Sequence, residues 1–300
     1  TAPAHVADEV RRAWYALRDA DDGCTHAASE LYASKKLGAL DVWRKARLGV
    51  EANRPRVARN AVEIVAPESL PALRELLDSP TKYLRAHSTA RGKARQELVL
   101  LALIKLATSD VDAAAAQLDN KWGVHLSPEE RNWAWGVVGK TAAQKLAPDA
   151  SAYFANVTRD TDLNDELLGW KVRAALRSGQ WKAVRKAVDA MSDEARQDST
   201  WVYWKARALL EGRPHEAERA EAQRLFESIA GTRGFYEQLA LEELGQRVAL
   251  PPPPAPLTAE EKAAARANLG LNRGLYAILL GIRGEGVREW NYTTNRHQNG

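Results

Sequence analysis

The chain is poor in the residues that ordinarily carry chemistry. It has one cysteine, Cys24, in 300 residues. No disulfide can form within it, and the thiol decides no redox compartment. A buried, inert thiol is the plain reading. The six histidines, His5, His26, His87, His125, His215 and His297, include no two at metal-ligand spacing. HExxH and paired cysteines are absent, as are the GxSxG elbow, the Walker loop and the GxGxxG fingerprint. Gly281-Ile-Arg-Gly284-Glu-Gly286 is glycine-rich but follows no strand, and reads as a helix terminus and turn. Carboxylates are plentiful, yet solvated helix faces account for them. No catalytic residue, metal site or cofactor is expected, and the substrate-binding residues stay unknown.

Other absences narrow the class. The longest strongly apolar run, Leu98-Val-Leu-Leu-Ala-Leu-Ile104, falls far short of the ~20 residues of a membrane span. No signal peptide is visible; the start Thr1-Ala-Pro-Ala4 suits a mature chain after cleavage as well as an arbitrary boundary. Phenylalanine, isoleucine and threonine are scarce, and no alternating β-branched run argues for a sheet. The net charge is +4, from 43 basic and 39 acidic residues interspersed along the chain. Without a basic cluster interleaved with aromatics, nucleic acid is not an expected partner.

What is present is helix-forming chemistry: alanine, leucine, arginine and glutamate, with ten tryptophans. The segment Trp170-Lys-Val-Arg173-Ala174 recurs as Trp204-Lys-Ala-Arg207-Ala208, 34 positions later. Self-similarity at that spacing marks a solenoid of helix pairs. Aromatics head successive units at Trp135, Trp170, Trp204 and Tyr236, with Trp43 a further candidate. Small residues one turn on let neighbouring helices interlock, so these rings are expected to be packing knobs, with stacking on sugar faces the alternative. Trp204 in particular is expected to be mostly buried. Ser127-Pro128-Glu129-Glu130 is a helix start with a capping box. Val184, Ala187, Val188 and Met191 form a helical stripe, and Val99 to Ala107 is apolar on nearly all sides. The fold expected over residues 5–247 is an all-α, right-handed superhelical stack of antiparallel helix pairs, a TPR-like solenoid.

The repeat breaks at Pro251-Pro-Pro-Pro-Ala-Pro256, which reads as a semi-rigid connector. Thr258-Ala-Glu-Glu261 then caps a helix expected to run to about Leu269, with a further helix over Arg273 to Leu280. The expected domains are 1–250 (superhelix), 251–256 (connector) and 257–300, the beginning of a second small helical module.

One stretch is more specific than a repeat. It reads Trp201-Val-Tyr-Trp204-Lys-Ala-Arg-Ala-Leu-Leu, then Ala222-Gln-Arg-Leu-Phe226, then Gly231-Thr-Arg-Gly-Phe235-Tyr236-Glu-Gln-Leu-Ala240-Leu-Glu-Glu-Leu-Gly245. It resembles the end of the helical superhelix in soluble lytic murein transglycosylases, and Arg266 to Trp290 resembles the opening of that family's linker domain. The resemblance is specific over 165–250, moderate over 257–292, and earlier a matter of helical pattern alone. It implies a periplasmic lyase that cleaves peptidoglycan glycan strands between N-acetylmuramic acid and N-acetylglucosamine to 1,6-anhydro products. In the family one glutamate, in a lysozyme-like C-terminal domain, acts as acid and then base. The superhelix there curls into a ring on which that domain sits. The family's E-S-x-F and G-A-x-G-L-M-Q motifs are missing here. Glu68-Ser69 is the nearest dipeptide, and it reads as a helix's first turn. The expectation is a non-catalytic portion, inactive alone, whose partners are glycan strands and the catalytic domain of the same polypeptide. Basic residues facing the ring's hole would attract anionic glycan. The alternative is a stand-alone TPR-like module that binds peptides or proteins.

Overall fold

In a computed structural model, residues 2–246 and 254–298 are described. Among them every regular element is helical. The chain divides into two compact units, Thr1–Val248 and Ala249–Gly300. The first carries α1 (Ala2–Ala16), α2 (Asp22–Ala33), α3 (Ala39–Glu51), α4 (Pro55–Val65), α5 (Leu70–Asp78), α6 (Pro80–Ala86), α7 (Lys93–Ser109) and α8 (Val111–Gln117). It continues with α9 (Pro128–Gln144), α10 (Ala150–Ala155), α11 (Asp165–Arg177), α12 (Trp181–Asp189), α13 (Asp193–Arg196), α14 (Ser199–Leu210), α15 (Glu216–Ile229) and α16 (Phe235–Glu243). The all-α stack of helix pairs expected from the repeat is thus present.

α7 and α9 sit at the centre of the first half. α7 is walled by α3, α5, α6, α8 and α9, which is why Leu98 to Ile104 could be apolar all round and why every one of them is buried. α9 begins as its sequence dictates. Ser127 Oγ accepts from the Glu130 amide at 3.2 Å, and the Glu130 carboxylate accepts from the Ser127 amide at 2.7 Å. Further along, a Cβ on Gly139 would lie 2.8 Å from the Phe154 ring. Glycine there is what lets α10 lie against α9.

The second half shows the repeat plainly. α11 and α14 begin at Asp165 and Ser199, the 34-residue offset read from the sequence. α11 packs on α12, α12 on α14, α14 on α15 and α15 on α16. Gly179, at φ +68°, makes the left-handed turn from α11 to α12. Val184, Ala187, Val188 and Met191 are all buried, as their spacing required. The Glu68-Ser69 dipeptide lies in a single 3₁₀ turn, Pro67–Ser69, that leads into α5.

The second unit holds α17 (Ala259–Ala267), α18 (Leu269–Leu279) and α19 (Arg283–Gln298). The Thr258 capping box is formed, with both hydrogen bonds present. Two boundaries differ from expectation. Asn268 caps α18, so the helix expected from Arg273 starts at Leu269. The Gly281–Gly286 segment is a turn only at its start, because Gly284 and Gly286 lie inside α19. The reason is packing: a Cβ on Gly286 would lie 2.7 Å from the Gly274 carbonyl oxygen, so bare glycine lets α18 and α19 touch backbone to backbone. Much apolar surface remains open on this unit, with Leu269 72%, Tyr276 65% and Leu279 83% exposed. Residues 251–253 of the proline run lie outside the described residues.

Candidate functional site

Helix periodicity places three kinds of polar feature in the first unit: buried ion pairs, a charged cleft and an aromatic groove. The ion pairs come first in the chain. α3 sends Arg47 between α7 and α9, where it is fully buried. Its Nε donates to Glu97 at 3.1 Å and its Nη2 to Glu129 at 2.8 Å. Lys93 bridges Glu97 at 2.8 Å and Glu130 at 3.0 Å. The Arg44 and Arg47 guanidinium groups lie 5.3 and 5.1 Å from the Trp133 ring. Burial works to lower the Arg47 pKa, but the Glu97 and Glu129 carboxylates outweigh it and hold the charge firmly. Burial likewise resists ionisation of Glu129, and its hydrogen bonds to Arg47 prevail and lower its pKa. Every charge here is spent on another helix, so the cluster is a brace.

The cleft lies beside it. About 640 Å³ is lined by residues of α1, α3, α4, α9 and α11, among them Lys45, Glu51, Lys140 and Glu166. Lys140 Nζ lies 2.7 Å from Glu51 and 2.8 Å from Glu166. Burial pushes the Glu51 carboxyl up, while Lys140 pulls it back. Lys45 donates to the carbonyls of Trp14 and Leu17, closing the C-terminal end of α1, and burial pushes its amine down to about 8. A raised glutamate in a cleft is the usual beginning of a general acid. Here its oxygen is taken by Lys140, which ties α3, α9 and α11 together, so the arrangement reads as a second brace.

The groove is different in character. About 650 Å³ is lined by Trp170 and Arg173 of α11, Trp201 and Trp204 of α14, and Tyr236 of α16, with no Asp or Glu among its walls. The Arg173 guanidinium stands 4.6 Å from the Trp170 ring centre and 5.3 Å from that of Trp201. Arg173 is exposed, and it has no ion-pair or hydrogen-bond partner among the described residues. Gly169 makes the arrangement possible, since a Cβ there would lie 3.0 Å from the Trp201 ring and 3.4 Å from Arg173. Trp204 donates to the Tyr236 hydroxyl at 3.2 Å.

The five aromatics that head the units therefore divide. Trp43 and Trp135 are buried at 2% and 4% exposure, as packing knobs should be. Trp170, Trp204 and Tyr236 are partly buried; Trp204 is mostly covered, as expected, packing against the core while one side of its ring lines the groove. α14 packs on α12, α13, α15 and α16, and the part of the Trp204 ring left open borders the groove beside Tyr236. The groove went unread in the sequence because Trp201 and Tyr236 come from different repeats. Cys24 is half-buried, and burial together with Asp21 raises its thiol pKa, the opposite of an activated nucleophile. No group of three or more potential metal ligands occurs among the described residues, and no helix there is long and apolar enough to cross a membrane.

No protein-family model matches the chain. Individual relatives do. The soluble lytic murein transglycosylase of Salmonella typhimurium is 24% identical over 271 residues, 87% of this chain and 39% of the relative. The Escherichia coli K12 counterpart is 22% identical over 251 residues, 80% of this chain and 38% of the relative. Among solved structures, an inactive mutant of the lytic transglycosylase Slt from Pseudomonas aeruginosa superposes at TM-score 0.53, with 21% identity, over 97% of this chain and 48% of that one. The 70-kDa soluble lytic transglycosylase of Escherichia coli gives TM-score 0.52, with 17% identity, over 96% and 46%. This chain spans under half the length of each of these proteins. Along most of its length, in sequence and in fold, the chain is similar to the soluble lytic murein transglycosylases.

Proposed function

We propose that the chain is the helical, non-catalytic scaffold portion of a peptidoglycan lytic transglycosylase, acting in the periplasm. Residues 1–250 would be the superhelical domain, 251–256 the connector and 257–300 the start of the linker domain. The observation that carries this reading is the continuous likeness over 87% of the chain, which includes the Trp201–Gly245 helices and extends beyond the proline run. A generic helical repeat would explain the stack but not the second module.

The internal chemistry agrees. The strongest charges are consumed in braces between helices, and the one carboxyl raised by burial among the described residues, Glu51, is held by Lys140. The open apolar surface of the second unit, including Leu279 and Leu280 at 83% and 60% exposure, suits a surface that meets another domain. Cleavage between N-acetylmuramic acid and N-acetylglucosamine would be the work of that domain, with this chain as its support.

The test compares the complete gene product with this chain on purified sacculi. The gene product should release 1,6-anhydro-muropeptides and this chain should release none. A complete product that releases none overturns the assignment; release by this chain alone overturns the scaffold role.

A further inference from the structure

We infer that the groove between α11, α14 and α16 is a binding site for a carboxylate-bearing glycan, with Arg173 as its anion-binding group. The inference rests on the peptidoglycan reading above for the sugar, and on the groove itself for the charge and the aromatic walls.

Arg173 is held for a ligand more than for the fold. Two indoles flank its guanidinium, at 4.6 Å for Trp170 and 5.3 Å for Trp201. Such stacking fixes the plane of the fork while leaving its N–H edges free. No carboxylate of the described residues meets it, so the indoles are what hold its guanidinium in place. A planar fork with open donors matches a carboxylate in two-point geometry. Arg177 adds a second positive charge to the same lining, and no acidic side chain offsets either.

The walls specify the rest. Partly exposed Trp170, Trp201, Trp204 and Tyr236 offer flat apolar surface, while Ser151, Ser178 and Thr200 add hydroxyls. Aromatic faces beside a few hydrogen-bonding groups suit a pyranose, which has an apolar face and a hydroxylated rim. The volume, about 650 Å³, is that of a small-ligand cleft. Glycine at 169 is part of the device, because a methyl there would stand 3.0 Å from the Trp201 ring and crowd that wall.

The test is a tryptophan-fluorescence and calorimetric titration of the whole chain at low salt. The probes are a tetrasaccharide of alternating N-acetylglucosamine and N-acetylmuramic acid, and neutral chitotetraose. The acidic tetrasaccharide should bind saturably and at least tenfold more tightly than chitotetraose, and binding should weaken as salt rises. Arg173→Gln should weaken it at least tenfold, Arg173→Lys by less, and Gly169→Ala severalfold, with unchanged helix content by circular dichroism. No binding, equal affinity for the neutral sugar, or binding untouched by Arg173→Gln each overturns the proposal. Any of these, if the gene product still digests sacculi, leaves the scaffold reading standing, so the two failures are separable. A carboxylated peptide that outcompetes the tetrasaccharide would assign the groove to peptide and equally overturn it.

Discussion

The helices up to α9 and those from α11 onward are built on one plan yet use it differently. In the first region the aromatics of α3 and α9 are interior: Trp43 and Trp135 are 2% and 4% exposed. In the second, Trp170, Trp204 and Tyr236 line a groove. The first region buries Arg47 against Glu97 and Glu129; the second leaves Arg173 stacked on indoles and without an acid. The number of packed helices does not set the difference: α3, with Trp43, meets α1, α4 and α7, while α14, with Trp204, meets α12, α13, α15 and α16. What differs is the face, since Trp43 points into the core and Trp204 stands with Tyr236 at a groove wall.

Mutations should expose this contrast. Arg47→Met leaves Glu97 with Lys93 alone and Glu129 with Arg44 alone, and the loss of the buried guanidinium between them should cost about 3 kcal/mol. Arg173→Met should change stability by less than about 0.5 kcal/mol, as an exposed side chain does. Urea unfolding of the two variants reads both, and equal losses would break the comparison. The tryptophans come next. Trp43→Ala should cost about 3–5 kcal/mol through cavity formation. Trp204→Ala should cost clearly less, because solvent already reaches its ring; a loss as large as at Trp43 would show that the groove wall is core after all. Gly139→Ala must displace Phe154 inside the core and should cost about 1–3 kcal/mol. At Gly169→Ala the indole of Trp201 can swing toward solvent, so thermal unfolding should shift little while the groove changes shape.

The smallest expected effect is on pH. Glu129 has a depressed folded pKa, caused by Arg47 acting against burial. Its stabilisation is therefore fully present above its unfolded value, about 4.3, and is lost as pH falls through the lower folded value. Burial raises Glu51, which gives the opposite slope: its folded form gains protons first, and its contribution fades as pH rises. Urea midpoints between pH 6 and 3 should fall more steeply in the native chain than in Glu129→Gln. Parallel curves would remove Glu129 from the brace.

Much of the fold was legible. The Ser127 box, the Val184–Met191 stripe and the all-apolar Val99–Ala107 run are local signals, and local hydrogen bonding and periodicity decide them. The aromatic ladder was legible in spacing and, for Trp43, Trp135 and Trp204, in burial; that Trp170, Trp204 and Tyr236 keep one side open to a groove was not. Arg47 was illegible, because its partners lie 50 and 82 residues away, and a buried arginine looks like a surface one in sequence. α19 was missed for a related reason: glycine usually marks a turn, but Gly286 is there so that Gly274 can approach it. The groove needed α9, α10, α11, α14 and α16 to be placed before its residues could be seen together.

Hydrogen exchange on the whole chain, with and without the acidic tetrasaccharide, tests the two-region account most directly. Without sugar, the slowest amides should lie in α3, α7 and α9, where the braces meet. With sugar, new protection should appear in α10, α11, α14 and α16, which line the groove, and nowhere else. Protection that instead gathers at the charged cleft between α3 and α9, or exchange that is uniform along the stack, would contradict the division into a braced region and a binding one.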